Sequence, residues 1–337
     1  MKNFKLILIT ILLSTTFCRA QSDLENILSD LSFLMQEFVE PGIESTMYQT
    51  SSGWYTDAKA LDTWEVKVSV QGNMLFIPNK KKTFFVDNNA LSNLSVRPGD
   101  SPFFSTAAGG VSNSYLVGSI NGNPIGEIYA PSGINQSYVT HGLLNLEVGL
   151  PYGTSITGRI SPKTKIKSSS IQAFGFGLKH NISQWISELK ASTFDLSLLA
   201  AYSLYQVNDQ FSNLELLPGE SINSIKSEGE TFLLGLISSK KIGAFDVSLA
   251  VLHSNSKPDL SFGGQGTIVT SILNETVSRT TPRVLNTTVD LGLSYNYKDF
   301  SLNSILTIGD FTNLLVGLNY QFKLKTEKKD KTAVDEN

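Results

Sequence analysis

Apolar and polar residues alternate along much of this chain. From Phe194 the even positions read Phe194, Leu196, Leu198, Ala200, Tyr202 and Leu204. Phe245, Val247, Leu249 and Val251 alternate with Asp246, Ser248 and Ala250. Val289, Leu291, Leu293, Tyr295 and Tyr297 alternate with Asp290, Gly292, Ser294 and Asn296, and Leu314, Val316, Leu318, Tyr320 and Phe322 close the series. Period two places successive side chains on opposite faces of a strand, so each run predicts a strand of roughly seven to eleven residues with one apolar face.

Two architectures use such strands. In a soluble sandwich the apolar face points inward and strands average about five to six residues. In a transmembrane barrel the apolar face meets lipid, strands need about 9–11 residues, and aromatics gather near their ends. Here the strands are long, and their polar faces are Gly, Ser, Asn and Thr more than Lys and Glu. Tyr152, Tyr202, Tyr205, Tyr295, Tyr297 and Tyr320 lie near strand ends as a candidate aromatic girdle, and Phe322 stands as a C-terminal strand signal. These features favour an all-β, transmembrane antiparallel β-barrel over the sandwich. Residues 64–78 read either as one strand or as a hairpin at Gly72-Asn73, which gives 12–14 strands in all, with 14 preferred.

Barrel connections alternate between short inner turns and longer outer loops. Counting back from an inner C-terminus, Lys298-Asp299, 239–243, 180–192, Pro151-Tyr152-Gly153 and Asn121-Gly122-Asn123 fall inside. Residues 254–282, 206–229, 161–168, 131–141 and 88–108 fall outside. The short outer turn 309–312 and the long inner 180–192, with a helical turn at 182–189, depart from the rule.

The N-terminal region follows another period. Leu24, Ile27, Leu28, Leu31, Leu34, Met35 and Phe38 recur at helical spacing, with Ser22 and Glu25 as a capping box and Pro41-Gly42 as the stop. This amphipathic helix reads equally as a plug or periplasmic cap on the barrel lumen and as a helix that simply packs against the barrel end. Seven acids and no Lys or Arg between Gln21 and Asp57 disfavour docking on an anionic lipid surface. Ahead of it, basic Lys2 and Lys5, apolar 6–13 and Cys18-Arg19-Ala20 form a secretory signal. The domain reading is therefore a signal at 1–20, a helix and plug or cap segment at 21–62, a barrel at 63–322, and a charged, disordered inner tail at 323–337.

Composition narrows the chemistry. Of 337 residues, 17% are charged, below the roughly 25% of an ordinary soluble domain. The formal net charge is −3, and losing Lys2, Lys5 and Arg19 with the signal makes it more negative. With no extended basic cluster, a nucleic-acid partner is disfavoured. Cys18 is the single cysteine and leaves with the signal, so neither disulfides nor thiolate chemistry are expected.

The order of signal, apolar helix, Ser52-Gly53-Trp54-Tyr55 and barrel strands resembles the FadL-type family of outer-membrane transporters for hydrophobic compounds. The stretch from Gly175-Phe176-Gly177-Leu178-Lys179-His180 through Trp185 to Phe194-Asp195-Leu196-Ser197 resembles, more closely, a family of outer-membrane proteins of the Bacteroidetes to which no activity is attached. The first resemblance is one of layout and implies no ligand-contact residue at a given position.

Catalytic signals are sparse. The histidines are His141, His180 and His253. An outer-membrane phospholipase uses His, Ser and Asn, but His253 and Ser254 are adjacent and would face opposite sides of a strand. Gly175-Phe176-Gly177 lacks a third glycine and reads as strand packing. No cofactor and no metal site is expected. Lys80-Lys81-Lys82 and Lys163, Lys165, Lys167 read as solvated turns before an anion funnel. The chain is thus expected in the cell outer membrane, surrounded by its lipid, as a passive channel or transporter for a small hydrophobic solute. The alternative is a non-enzymatic anchor or assembly protein acting through its loops, whose protein partner the sequence does not name.

Overall fold

The computed structural model describes the backbone of residues 2–324 except 191 and 218, and most side chains from residue 22 onward. Helix α1 spans Lys2–Ser51. Strand β1 is Glu65–Phe76. Five short strands follow: β2 Thr83–Phe85, β3 Leu94–Val96, β4 Phe103–Ser105, β5 Tyr115–Ile120 and β6 Asn123–Tyr129. Then come β7 Tyr138–Leu150, β8 Thr154–Ile166, β9 Ser169–Asn181, helix α2 Ser187–Lys190, β10 Phe194–Leu217, β11 Glu220–Ile242 and β12 Phe245–Gln265. Helix α3 Ile268–Thr280, β13 Val284–Tyr297, β14 Phe300–Ile308 and β15 Thr312–Lys323 complete the order.

β1 and β7 to β15 close an antiparallel barrel, with β1 pairing β15 on one side and β7 on the other. Its outer face is greasy: Val70, Leu146, Ile160, Phe176, Leu234, Leu249, Leu291, Leu302 and Leu318 are all exposed. Its inner face is polar and buried, with Ser69, Gln71, Asn145, Thr157, Asn181, Ser197, Ser254, Asn303 and Asn319. Left in water, each outward Leu or Phe would cost about 1.5–3 kcal/mol. Lipid around the barrel removes that cost, and the sandwich alternative fails because its greasy faces would have to point inward.

This inside-out arrangement carries a direct consequence. Leu291 faces outward in the middle of β13, so Leu291→Arg should destabilise the barrel by about 2–4 kcal/mol in denaturant unfolding from vesicles. Unchanged stability would mean that the outward face does not meet hydrocarbon.

The barrel has ten strands rather than the 12–14 read from the sequence. Residues 65–76 form one strand, and Gly72 sits in mid-ladder opposite Gly142 and Val316 instead of in a hairpin turn. The other alternating runs form two small sheets outside the barrel, β2-β4 and β3-β5-β6. Alternation reports that one face is buried, not which sheet the strand joins. Asn121-Gly122-Asn123 accordingly joins β5 to β6 in the outer lobe and is no inner turn.

One rim carries Glu65, Lys323 and the turns at 151–153, 243–244 and 298–299, with α2 in the connection between β9 and β10. The other rim carries the excursion between β1 and β7, the α3 connection, and the long ends of β10, β11 and β12. These strands run on through most of 206–229 and 254–265, where the sequence pattern predicts loops. Leu214, Ile222, Ile225, Leu260 and Phe262 turn inward there onto α1, beside Val269, Leu273 and Val277 of α3. Val86, Leu94, Phe104 and Leu116 of the small sheets close the other side of this outer core.

Helix α1 does not stop at Pro41-Gly42. Proline costs about 3 kcal/mol inside a helix, since it lacks an N–H and crowds the preceding turn. Packing outweighs this: Val39, Ile43 and Met47 are buried along one face, and the hydroxyls of Ser45 and Thr46 donate back to the Gly42 carbonyl at 2.8 and 2.9 Å. Ser22 lies within α1, so the capping box marks no helix start there. Of the expected apolar face, Ile27, Leu28, Leu31, Leu34, Met35 and Phe38 are buried in the outer core, while the Leu24 side chain lies outside the described residues. Asp30 accepts backbone N–H bonds from Ser92, Asn93 and Leu94, and Asp23 one from Asn121, tying the helix to the outer sheets. The tail beyond residue 324 lies outside the described residues.

Candidate functional site: the plugged lumen and its cavity

The chain threads the barrel between Tyr48 and Trp64. At the outer end Tyr48 Oη accepts from the Asp310 N–H at 2.6 Å and donates to Asn286 at 2.9 Å. Asn313 donates to Ser52 Oγ, and Asn145 Nδ2 to the Gly53 carbonyl. Gly53 has φ +75°, and a Cβ there would lie 2.4 Å from Leu315 Cδ1, so no other residue fits without strain. The Trp54 indole lies under the Arg159 guanidinium, 3.8 Å from its carbon, a cation–π contact in a dry setting. Arg159 also donates to Thr50 O and Asn145 Oδ1 at 3.1 Å each. Cβ atoms on Gly175 and Gly177 would meet Trp54 at 3.0 and 2.9 Å, so this glycine pair makes room for the indole.

Below the indole, Tyr55 donates to Asp290 Oδ2 at 3.0 Å. A buried four-charge cluster follows. Lys67 Nζ stands 3.5 Å from Asp57 and 3.9 Å from Glu147, and Lys179 Nζ is 3.1 Å from Glu147. Lys67 also donates to Thr56 Oγ1, Lys179 to the Asp57 carbonyl, and Ser155 to Glu147. Ala58 is held through its N–H by Ser239 and through its carbonyl by Asn181 and Ser197. Three of the four charges sit on wall strands, and Asp57 sits on the threading segment. The cluster is therefore a neutral latch between plug and wall.

At the mouth, Glu44 and Lys81 pair at 2.6 Å. Burial pushes the Glu44 carboxyl above its usual range, against the pull of Lys81. Burial opposes the charge of Lys81, but the hydrogen bond and field of Glu44 overcome it and raise the ammonium.

Beside α1 lies a partly open cavity of about 110 Å³. Val39, Ile43, Ile77, Val139, Ile171 and Leu260 supply its apolar wall, and Gln49, Ser227 and Asp209 are among its polar lining residues. It sits behind a weak stretch of the barrel. β7 pairs β8 only from Leu144 to Leu150, so residues 138–143 have no β8 partner, and the β8–β9 ladder shifts between Ser161 and Thr164. Pro162 lies in that shift and has no N–H to offer a ladder. One side-chain bond, Ser161 Oγ to the Gly142 carbonyl at 3.1 Å, crosses the interval.

The family model described as "Family of unknown function (DUF6588)" matches residues 1–322. The chain belongs to this family. No curated protein matches it. Among solved structures, the DUF6588 chain is similar to the translocator domain of the autotransporter NalP from Neisseria meningitidis, at 7% identity over 84% of this chain and 94% of that one, with a TM-score of 0.35. It is also similar to the outer membrane protease OmpT from Escherichia coli, at 9% identity over 77% and 96% with a TM-score of 0.29. For the outer membrane protein OprG from Pseudomonas aeruginosa the identity is 10% over 80% and 99%, with a TM-score of 0.25. At such values the likeness concerns the barrel fold and nothing finer.

The residues singled out from the sequence of this DUF6588 protein fall in different places. Tyr152, Tyr295, Tyr297 and Tyr320 are exposed at the rim that carries Glu65 and Lys323, where Phe245 pairs with Tyr295 and Phe300 with Tyr320 at ring distances of 5.2 and 4.8 Å. Tyr202 faces outward higher up and donates to Glu230 at 2.6 Å. Tyr205 is no girdle residue: it has inward parity on β10 and is 4% exposed. Phe322 stacks on Tyr320 near the end of β15. His253 is bonded to Thr287 on the outer face, while Ser254 is buried on the inner one. Among the described residues no three His, Cys, Asp or Glu are grouped to hold a metal ion. Lys67, Glu147, Arg159 and Lys179 were not singled out, although charges at inward parity among small neutral neighbours are a signal that sequence alone carries.

Proposed function

We propose that this protein is an outer-membrane transporter for a small hydrophobic solute, held closed by its own N-terminal segment. The cavity beside α1 carries this reading. It is mostly apolar, lies against the plug, and stands behind the stretch of wall where β7 lacks its β8 partner. A solute dissolved in the outer leaflet reaches it between these strands without crossing the outer lobe. Onward passage then requires the plug to yield at the latch.

In this orientation the rim with Glu65 and Lys323 faces the periplasm and the outer lobe faces the medium, consistent with long connections on the outside of such barrels. Residues 22–30 of α1, bonded to the outer sheets, then lie at the cell surface. The signal at 1–20 remains part of the proposal, as does the likeness to FadL-type transporters.

Titration of the detergent-solubilised protein with toluene, against a protein-free micelle blank, tests the reading. Saturable binding is expected, and Ile171→Trp, which fills the cavity from β9, should abolish it. No saturable binding, or binding indifferent to Ile171→Trp, would overturn it. A second reading, a surface anchor acting through its loops, draws on Phe85 and Phe103, both 60% exposed with rings 5.5 Å apart on the outer lobe. It needs no ligand in the cavity, so the same titration separates the two.

A further inference from the structure

Three features of the cavity limit what it accepts. The first is size. An apolar cavity of about 150 Å³ takes benzene, and this one measures about 110 Å³ with one side partly open. It suits a single small ring, and a long acyl chain does not fit within it. The second is charge. Among its lining residues the one ionisable group is Asp209, whose carboxylate already accepts from Ser169 at 2.7 Å, and no Lys, Arg or His lines it. A carboxylate ligand would enter uncompensated, which burial penalises heavily.

The third is a buried, unpaired acceptor. Gln49 is fully buried on α1 and lines the cavity. Its amide nitrogen donates to the Val139 carbonyl at 3.1 Å, which fixes the flip of the amide. The oxygen, Oε1, has no partner. A buried carbonyl left without a donor costs about 1–3 kcal/mol, so a ligand that donates to it recovers free energy that a hydrocarbon does not. The Ser227 hydroxyl lines the same cavity.

We infer that the cavity selects neutral, ring-sized solutes bearing a hydrogen-bond donor, phenol being the simplest, over both bare hydrocarbons and organic anions. Gln49 is the residue that makes the distinction. The inference rests on the transporter reading and deepens it. The bound hydroxyl donates to Gln49 Oε1 while the ring lies among Val39, Ile43, Ile171 and Leu260.

Phenol and toluene have the same shape and differ in the donor, and benzoate supplies the anion. Titration of the full-length wild-type protein with each, referred to free aqueous concentration, should give phenol about tenfold tighter than toluene, the equivalent of one net hydrogen bond, and no measurable benzoate binding. In Gln49→Met, of similar volume but with only a weak sulfur acceptor, the phenol hydroxyl is buried without a good partner, so the preference should be lost and phenol should bind no tighter than toluene. Equal affinity for phenol and toluene in the wild type, or benzoate bound as well as phenol, would overturn the inference while leaving the transporter reading intact. A ratio that persists in Gln49→Met would also overturn the assignment to Gln49. Binding of none of the three would defeat the transporter reading itself. The wild-type comparison stands even if Gln49→Met fails to fold.

Discussion

Planar bilayers holding the Lys67→Met protein should carry a steady ion current where the wild type is silent. Four charges balance at the latch, with Lys67 and Lys179 against Asp57 and Glu147. Removing one ammonium leaves two buried carboxylates facing the other. Breaking a buried pair from one side costs about 3–5 kcal/mol, chiefly because the remaining charge is stranded. Something must move to bring water to it. Glu147 and Lys179 sit on β7 and β9, whose ladders hold them in place. Asp57 sits on the threading segment, which has no ladder, so that segment gives way.

The double variant Lys67→Met/Asp57→Asn separates charge balance from simple loss of a side chain. It keeps Lys179 paired with Glu147 at 3.1 Å and strands nothing, so its current should return towards the wild-type level. Unheated gel mobility checks that each barrel is closed. If Lys67→Met is folded and still silent, the latch does not hold the plug, and the contacts of Arg159, Tyr55 and Ala58 alone suffice.

The barrel wall was readable from sequence because lipid and lumen impose opposite demands on neighbouring residues. In β13, Val289, Leu291 and Leu293 point outward and Asp290 and Ser294 inward, as the alternation required. The extensions of β10, β11 and β12 were not readable for a specific reason. On β12, Val247, Leu249 and Val251 face out to lipid, but Leu260 and Phe262, at the opposite parity, face in to the outer core. The greasy face changes sides where the neighbour changes from lipid to protein. A reading that follows one parity sees the pattern dissolve near His253 and calls the rest a loop.

The site was hidden differently. Ser52-Gly53-Trp54-Tyr55 stood out in the sequence, yet its partners Asn145, Arg159 and Asp290 come from distant strands. Nothing local to Gln49 marks it as a ligand acceptor. Its role depends on Val139 taking the other end of its amide, roughly ninety residues along the chain. Local propensity ends α1 at Pro41, whereas the packing that carries it further comes from residues distant in sequence.

Phe38→Ala should loosen the outer lobe without opening the barrel. Phe38 is 1% exposed in the outer core, edge-on to Phe211 at 6.4 Å, and its carbonyl takes the Ala107 N–H at 2.8 Å. Truncating such a phenylalanine costs about 3–5 kcal/mol. Chiefly the extended ends of β10, β11 and β12 reach this core, and most of the ladders of the other barrel strands lie outside it, so the loss falls mainly on local opening of the lobe rather than on the whole. Protease added outside intact cells should therefore cut within residues 79–136 of the variant and spare the wild type. The heat-induced gel shift should be the same for both. Phe33→Ala, at a residue 46% exposed on the same helix, should behave as wild type. Val39 and Ala107 belong to the cavity wall as well as to this neighbourhood, so toluene and phenol binding should fall together in Phe38→Ala, leaving their ratio unchanged. A barrel that loses its heat shift along with its lobe would show that the two cores unfold as one unit, and the plug would then owe its place to the lobe as much as to the latch.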